Sequence, residues 1–250
     1  MVRRWMIVFA VLLFAFIAVV INDAVKPYEM VQAADVRIHK ETIVIDAGHG
    51  GSDPGKVAID GSLEKDINLK IAGKLRRELM ERGYDVIMTR EADRLTQETG
   101  SKQADMRERV RMVNHSDAQL LVSIHQNSFT DAGVCGPQVF YHEASKEAKA
   151  LAEVMQEQLN ETLNITKPRV CKADHSYYLL KNTTITAVIV ECGFLSNETE
   201  AAKLNDDAYQ KQLAACLADA IEKYEQESTS QRECEQDGNI VDENKSRRDL

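Results

Sequence analysis

Basic residues are in deficit along this chain: 31 Lys and Arg stand against 40 Asp and Glu in 250 residues, a formal charge of −9. Phosphate binding needs a positive surface, so the balance argues against a nucleic-acid partner. The five cysteines, Cys135, Cys171, Cys192, Cys216 and Cys234, form no C-x-x-C pair and are odd in number, which argues against a disulfide framework. Free cysteines of this kind mostly behave as small buried hydrophobes. No internal repeat is visible, and the two closely spaced histidines that mark familiar zinc proteases on one helix are missing as well.

What is present begins at the N-terminus. Arg3 and Arg4 precede an unbroken apolar run from Trp5 to Ile21, the layout of a secretory signal or an uncleaved membrane anchor. The run is at the short end of the roughly 17 to 25 residues that cross a bilayer and long for a signal core of about 7 to 15. Both readings stay open, and the distance of Val31-Gln32-Ala33-Ala34 from the run favours the anchor over cleavage there. The expected division is a leader or anchor with spacer over residues 1–34, one catalytic domain over 35–225, and a polar tail over 226–250. The tail has almost no apolar residues to offset ordering entropy and reads as disordered. An exported or membrane-anchored, extracytoplasmic protein follows.

Within the domain, Thr42-Ile43-Val44-Ile45 reads as a buried strand. Leu63, Ile67, Ile71, Leu75 and Leu79 make one apolar helical face, and Gly83 is placed to stop that helix. Further strands are expected at Tyr84–Thr89, Ala118–Ile124, Pro137–His142 and Ala187–Val190, with helices over Lys102–His115, Ser145–Leu163 and Asp207–Glu225. This β-α-β order predicts a single-domain α/β fold with a mostly parallel central sheet flanked by helices on both faces.

Three of these strands end in a group able to bind a metal or move a proton: His49 after the first, His125 after Ile124, and Glu191 after Val190. Parallel strands place such ends on one rim, where open α/β sheets assemble their sites. Glu64, at the start of the first helix, is a fourth candidate, although a carboxylate there is also favoured by the helix dipole. Two imidazoles and one carboxylate are a recurring donor set for catalytic zinc. A further carboxylate can move a proton from water to a leaving nitrogen.

The segments Ile45-Asp46-Ala47-Gly48-His49-Gly50-Gly51, Leu63-Glu64-Lys65-Asp66-Ile67-Asn68-Leu69, Ser123-Ile124-His125-Gln126-Asn127-Ser128 and Val190-Glu191-Cys192-Gly193-Phe194-Leu195-Ser196-Asn197 resemble, in order, the four blocks of the zinc N-acetylmuramoyl-L-alanine amidases of bacterial cell walls. The resemblance covers about Glu41 to Tyr224. It implies that His49, Glu64 and His125 bind one zinc ion, that Glu191 is the catalytic carboxylate, and that the substrates are peptidoglycan glycan strands with their stem peptides. Gln126, where many relatives have Ala, and Ser176-Tyr177-Tyr178-Leu179-Leu180-Lys181 resemble the germination-specific subgroup of spore-forming bacteria. That likeness implies work on spore cortex, in the spore intermembrane space, towards muramic δ-lactam. The stretch between His125 and Glu191 is too short for the autoinhibitory insertion of some cell-division relatives, which points to control by gene timing or a partner lipoprotein. Thr186 replaces a Pro common before the last strand.

Other readings compete. Cys192 beside Glu191 invites a cysteine amidase, which strand alternation opposes because neighbours face opposite sides. Arg107, Arg109 and Arg111 read as a solvated helix face, with one as a candidate contact for a substrate carboxylate. Asn127 suits either a substrate hydrogen bond or a turn. His39, His115, His142 and His175 lack the loop context of a ligand. An amidase of vegetative growth or division, a zinc peptidase of stem peptides and a catalytically silent wall-binding module share the same fold logic.

Overall fold

The computed structural model describes residues 40–96 and 101–246, with side chains to residue 230. The expected leader or anchor therefore lies outside the described residues. No helix among the described residues is long and apolar enough to cross a membrane.

In chain order the elements are β1 (Thr42–Ala47), α1 (Glu64–Glu81), β2 (Asp85–Met88), α2 (Lys102–Asn114), β3 (Leu120–Asn127), β4 (Gln138–His142), α3 (Lys146–Thr162), β5 (Lys172–Asp174), α4 (Tyr178–Asn182), β6 (Thr186–Phe194), α5 (Glu198–Asn205) and α6 (Asp207–Ser246). They build one six-stranded sheet in the order β2-β1-β3-β6-β4-β5. The first four strands in that order run parallel, β4 is antiparallel to β6, and β5 is parallel to β4.

Strand alternation sorts the apolar side chains onto two faces. Ile43, Ile45, Val122, Ile124, Val188 and Val190 pack with Ile71 of α1, Leu151 of α3 and Leu217 of α6. Val44, Leu121 and Ile189 pack on the other face with Val113 of α2 and Leu179 and Leu180 of α4. Helices thus cover both faces. Burial of Ile67, Ile71, Leu75 and Leu79, all without solvent exposure, contributes about 1.5–3 kcal/mol per side chain. The α1 face is fixed to the sheet by that burial.

Helix ends follow local chemistry. Ser101, Ser145 and Asn197 each accept a hydrogen bond from a first-turn amide, capping α2, α3 and α5. At the C-terminus of α1, Gly83 takes a φ of 89°, and its amide and that of Tyr84 bond back to Met80 and Leu79. Two strands run further than expected: β3 passes His125 to Asn127, and β6 passes Glu191 to Phe194. Both candidate residues, His125 and Glu191, therefore sit inside hydrogen-bonded strand. Helix α6 continues past Glu225 to Ser246, through the stretch that composition assigns to a disordered tail. Residues 226–246 contain no Pro to interrupt the helix.

Candidate active site

The carboxyl end of the parallel strands gathers the four candidate residues, on the face covered by α2 and α4. His49 follows β1 in a turn closed by reciprocal 2.9 Å backbone bonds between Gly50 and Asp53. Its backbone is left-handed, with φ at 63°, a conformation uncommon for a residue with a side chain and concentrated at functional sites. Glu64 opens α1 yet does not cap it: Leu63 holds the N-cap position, with no side-chain cap bond. The Glu64 carboxylate instead turns into the cleft, accepting from the amides of Lys56 at 2.8 Å and Gln126 at 3.1 Å.

Three side chains meet at one point. His49 Nε2 lies 3.2 Å and His125 Nδ1 3.1 Å from Glu64 Oε1, and one donor atom from each of the three falls within 4.8 Å of the others. A tetrahedral zinc ion bound at about 2.0–2.1 Å sets neighbouring donors roughly 3.3 Å apart, which the two distances to Glu64 Oε1 fit. The chemistry fits too. His49 Nδ1 is engaged by Asp53 Oδ2 at 2.8 Å, which fixes the ring and leaves Nε2 for the cleft. Burial works against ionised Glu64, but the hydrogen bonds to His125 and His49 outweigh it and hold the carboxyl well below the usual range. A deprotonated oxygen and two aligned imidazoles are what the ion requires.

Glu191 stands beside this group. It is buried, and its Oε2 has no hydrogen-bond partner among the described residues. Burial pushes its carboxyl up to about 7; the charge of His125 opposes the rise and that of Glu64 adds to it. A buried carboxyl with one oxygen left unpartnered beside the three donors is placed to accept a proton and return it. Cys192 points the other way into the core, with no exposure, and burial pushes its thiol well above the ordinary range. The thiol is neither accessible nor ionised, so strand alternation decides against it as a nucleophile.

The cleft has a volume of about 480 Å³ and is lined by the four candidates together with Lys56, Lys102, Met106, Asn127, Tyr177 and Tyr178 among others. Asn127 shapes the turn, its Oδ1 accepting from the Ser128 amide at 2.8 Å. His115 and His142 bond locally to Arg111 and Ala144, and His175 is exposed; His39 lies outside the described residues.

One expectation fails clearly. Arg107 and Arg111 are exposed, but Arg109, placed with them on a solvated face, is 1% exposed and pairs with Asp46 at 2.6 Å and Asp105 at 2.8 Å. It points inward because Asp46, at the end of β1, presents a buried carboxylate held well below its usual pKa range, Arg109 and the hydroxyls of Ser123 and Thr89 overcoming the burial cost. Asp53, Arg90 and Asp46 brace the candidate residues, through the His49 ring, the Gly48 carbonyl and the Ser123 hydroxyl, and periodicity could not single them out. The signal available was an Asp directly after an apolar strand and an Arg two residues past another.

The glycines around His49 leave room for the protein's own atoms. A Cβ on Gly48 would lie 2.3 Å from the His125 imidazole, and one on Gly50 2.5 Å from the Arg94 carbonyl. Gly55, at φ 67°, likewise leaves room for the Glu64 carboxylate.

An open α/β sheet with two imidazoles and a carboxylate converging at its strand ends, next to a buried acid, has the donor set of a metal-assisted hydrolase. The chain matches the N-acetylmuramoyl-L-alanine amidase family over residues 43–223. It is 37% identical to the germination-specific N-acetylmuramoyl-L-alanine amidase of Bacillus subtilis (strain 168), over 81% of this chain and 85% of that one. Among solved structures, the CwlD amidase from Clostridioides difficile, in complex with the GerS lipoprotein, shares 38% identity at a TM-score of 0.70, covering 74% of this chain and 98% of that one. The catalytic domain of CwlV, an amidase from Bacillus (Paenibacillus) polymyxa, shares 32% at a TM-score of 0.65, covering 74% and 98%. The chain belongs to the N-acetylmuramoyl-L-alanine amidase family and is an amide hydrolase.

Proposed function

We propose that this enzyme cleaves the amide between N-acetylmuramic acid and L-alanine of peptidoglycan at a zinc site formed by His49, Glu64 and His125, with Glu191 as the proton carrier. The observation that carries the reading is the 3.1 and 3.2 Å convergence of both imidazoles on Glu64 Oε1 beside the unpartnered oxygen of Glu191.

Zinc, when bound, supplies a Lewis acid for the scissile carbonyl and makes a water easy to deprotonate. Glu191, buried beside the three donors, would take the proton of an attacking water as the water oxygen bonds to the lactyl carbonyl carbon. It returns the proton to the nitrogen of L-alanine as the C–N bond breaks. The products are a lactyl carboxylate on the sugar and a free peptide amine. Asp53 orients His49, and the amides of Lys56 and Gln126 keep both oxygens of Glu64 directed.

The biological setting is spore cortex, where removal of the peptide prepares muramic δ-lactam formation; the likeness to the germination-specific amidase supports it. An accessory lipoprotein is the regulatory partner, in line with the complex solved for the Clostridioides difficile relative. Residues 1–34 export the protein or tether it to the membrane, placing it outside the cytoplasm. Digestion of defined muropeptides by the full chain, read by mass spectrometry, tests the reaction. Free stem peptides and peptide-free muramic acid are expected, whereas stems cut between amino acids with the muramyl link intact sink the amidase reading. Restoration of muramic δ-lactam in a sporulating strain that lacks its own amidase tests the setting.

A further inference from the structure

We propose that Arg90 and Arg109 are positioning residues for the metal site: a pair of buried guanidinium forks that set the direction of His49 and join it to the helix turn of Glu64. The proposal rests on the zinc reading above. Neither residue touches the donor atoms. Both are 1% exposed, which is unusual for arginine unless the group is fully paired.

The two forks converge on three successive carbonyls. Arg90 Nε and Arg109 Nη1 each donate to Ala47 O at 2.7 Å. Arg90 Nη2 donates to Gly48 O at 3.0 Å and Arg109 Nη2 to His49 O at 2.7 Å. These are the peptide units on either side of the His49 Cα, where the chain leaves the sheet and turns left-handed, so fixing their planes fixes where the imidazole points. Arg90 Nη2 also donates to Lys65 O at 2.7 Å, one residue past Glu64. A single nitrogen thus spans the His49 turn and the first turn of α1.

The third donor is tied in through Asp46. Its Oδ1 accepts from Arg109 at 2.6 Å and its Oδ2 from Ser123 Oγ at 2.6 Å, and Ser123 lies two residues before His125 on β3. Asp105 completes the charge balance at Arg109 Nε, 2.8 Å away, and itself accepts from Thr96. Gly50 is part of the same device: a Cβ there would sit 3.0 Å from Arg90 Cδ. A lysine carries the charge but not the planar fork, and cannot bond several carbonyls in this geometry.

Arg90→Lys and Arg109→Lys in the full chain test the assignment, by zinc competition against a chromophoric chelator on metal-stripped protein whose fold is checked by near-UV circular dichroism. Zinc affinity is expected to fall about 10- to 100-fold, the range for losing partners that orient metal ligands. Arg107→Lys on the exposed face of the same helix should stay within about twofold of wild type on the same footing. A merely structural role would lower the unfolding temperature of the metal-free protein and leave the affinity of the folded molecules alone. Folded Arg→Lys variants that hold zinc like wild type overturn the proposal. If neither variant folds, Ser123→Ala decides: a weakening of about threefold or more supports the network, and wild-type affinity overturns it. Wild-type protein that binds no zinc would instead sink the metal reading itself.

Discussion

His125 and Glu191 are register partners across the parallel pair of β3 and β6. A proposed metal donor and the proposed proton carrier are thus held one strand spacing apart, about 4.8 Å at the backbone, by sheet hydrogen bonds rather than by a loop. The pairing register shifts at once, between His125 and Asn127.

Glu191→Gln keeps the shape and removes the base. Zinc content should match wild type, and turnover should fall by about 10²- to 10⁴-fold. Metal analysis and muropeptide digestion on one preparation check both halves. A variant as fast as wild type would refute Glu191 as the proton carrier.

The same substitution has a pH signature in metal-free protein. Glu191 moves from an ordinary 4.5 to about 7 on folding, so the folded state holds its proton more tightly than the unfolded chain. The contribution to stability is complete below pH 4.5 and is lost as pH rises through 7. At about 1.4 kcal/mol per pH unit this interval amounts to roughly 3 kcal/mol. Glu191→Gln, neutral throughout, should unfold at a higher temperature than wild type above pH 7 and at a similar one below pH 4.5. Parallel curves at all pH values would contradict the raised pKa.

Gly48→Ala and Gly73→Ala should move in opposite directions. At Gly48 the new methyl would collide with the His125 ring at 2.3 Å, whereas at Gly73, exposed in the middle of α1, it meets nothing within 4 Å. The first variant should lose zinc and activity. The second should gain about 0.5–1 kcal/mol of stability, the helix preference of Ala over Gly. Thermal unfolding with zinc analysis distinguishes them.

Cys192→Ala separates the metal route from a thiol route. The residue is wholly buried in the core, so the change should cost roughly 1 kcal/mol of stability and leave turnover per folded molecule unchanged. Complete loss of turnover in folded protein would revive the cysteine reading.

Much of this architecture was legible in the sequence because its signals are periodic. The four-residue recurrence from Leu63 to Leu79 gives α1, and the apolar runs ending near His49, His125 and Glu191 give three parallel strands and the rim they share. Short elements carried too little pattern: β5 has 3 residues and α4 has 5. The burial of Arg109 was illegible for another reason. Its sequence neighbours Arg107 and Arg111 are equally charged, and only the placement of Asp46 beneath α2 selects one of the three. Glu64 shows the same limit: dipole preference explains a carboxylate at a helix start, but not its rotation away from the helix to meet two histidines.

The order of the proposed site along the chain sets when it can exist. Its members sit at positions 49, 64, 125 and 191, and the strand bearing the last of them lies between β3 and β4 in the sheet. A chain still being synthesised, or one cut before β6, lacks the strand that supplies Glu191 and supports β3. The proposed site is therefore incomplete until β6 has joined the sheet beside β3.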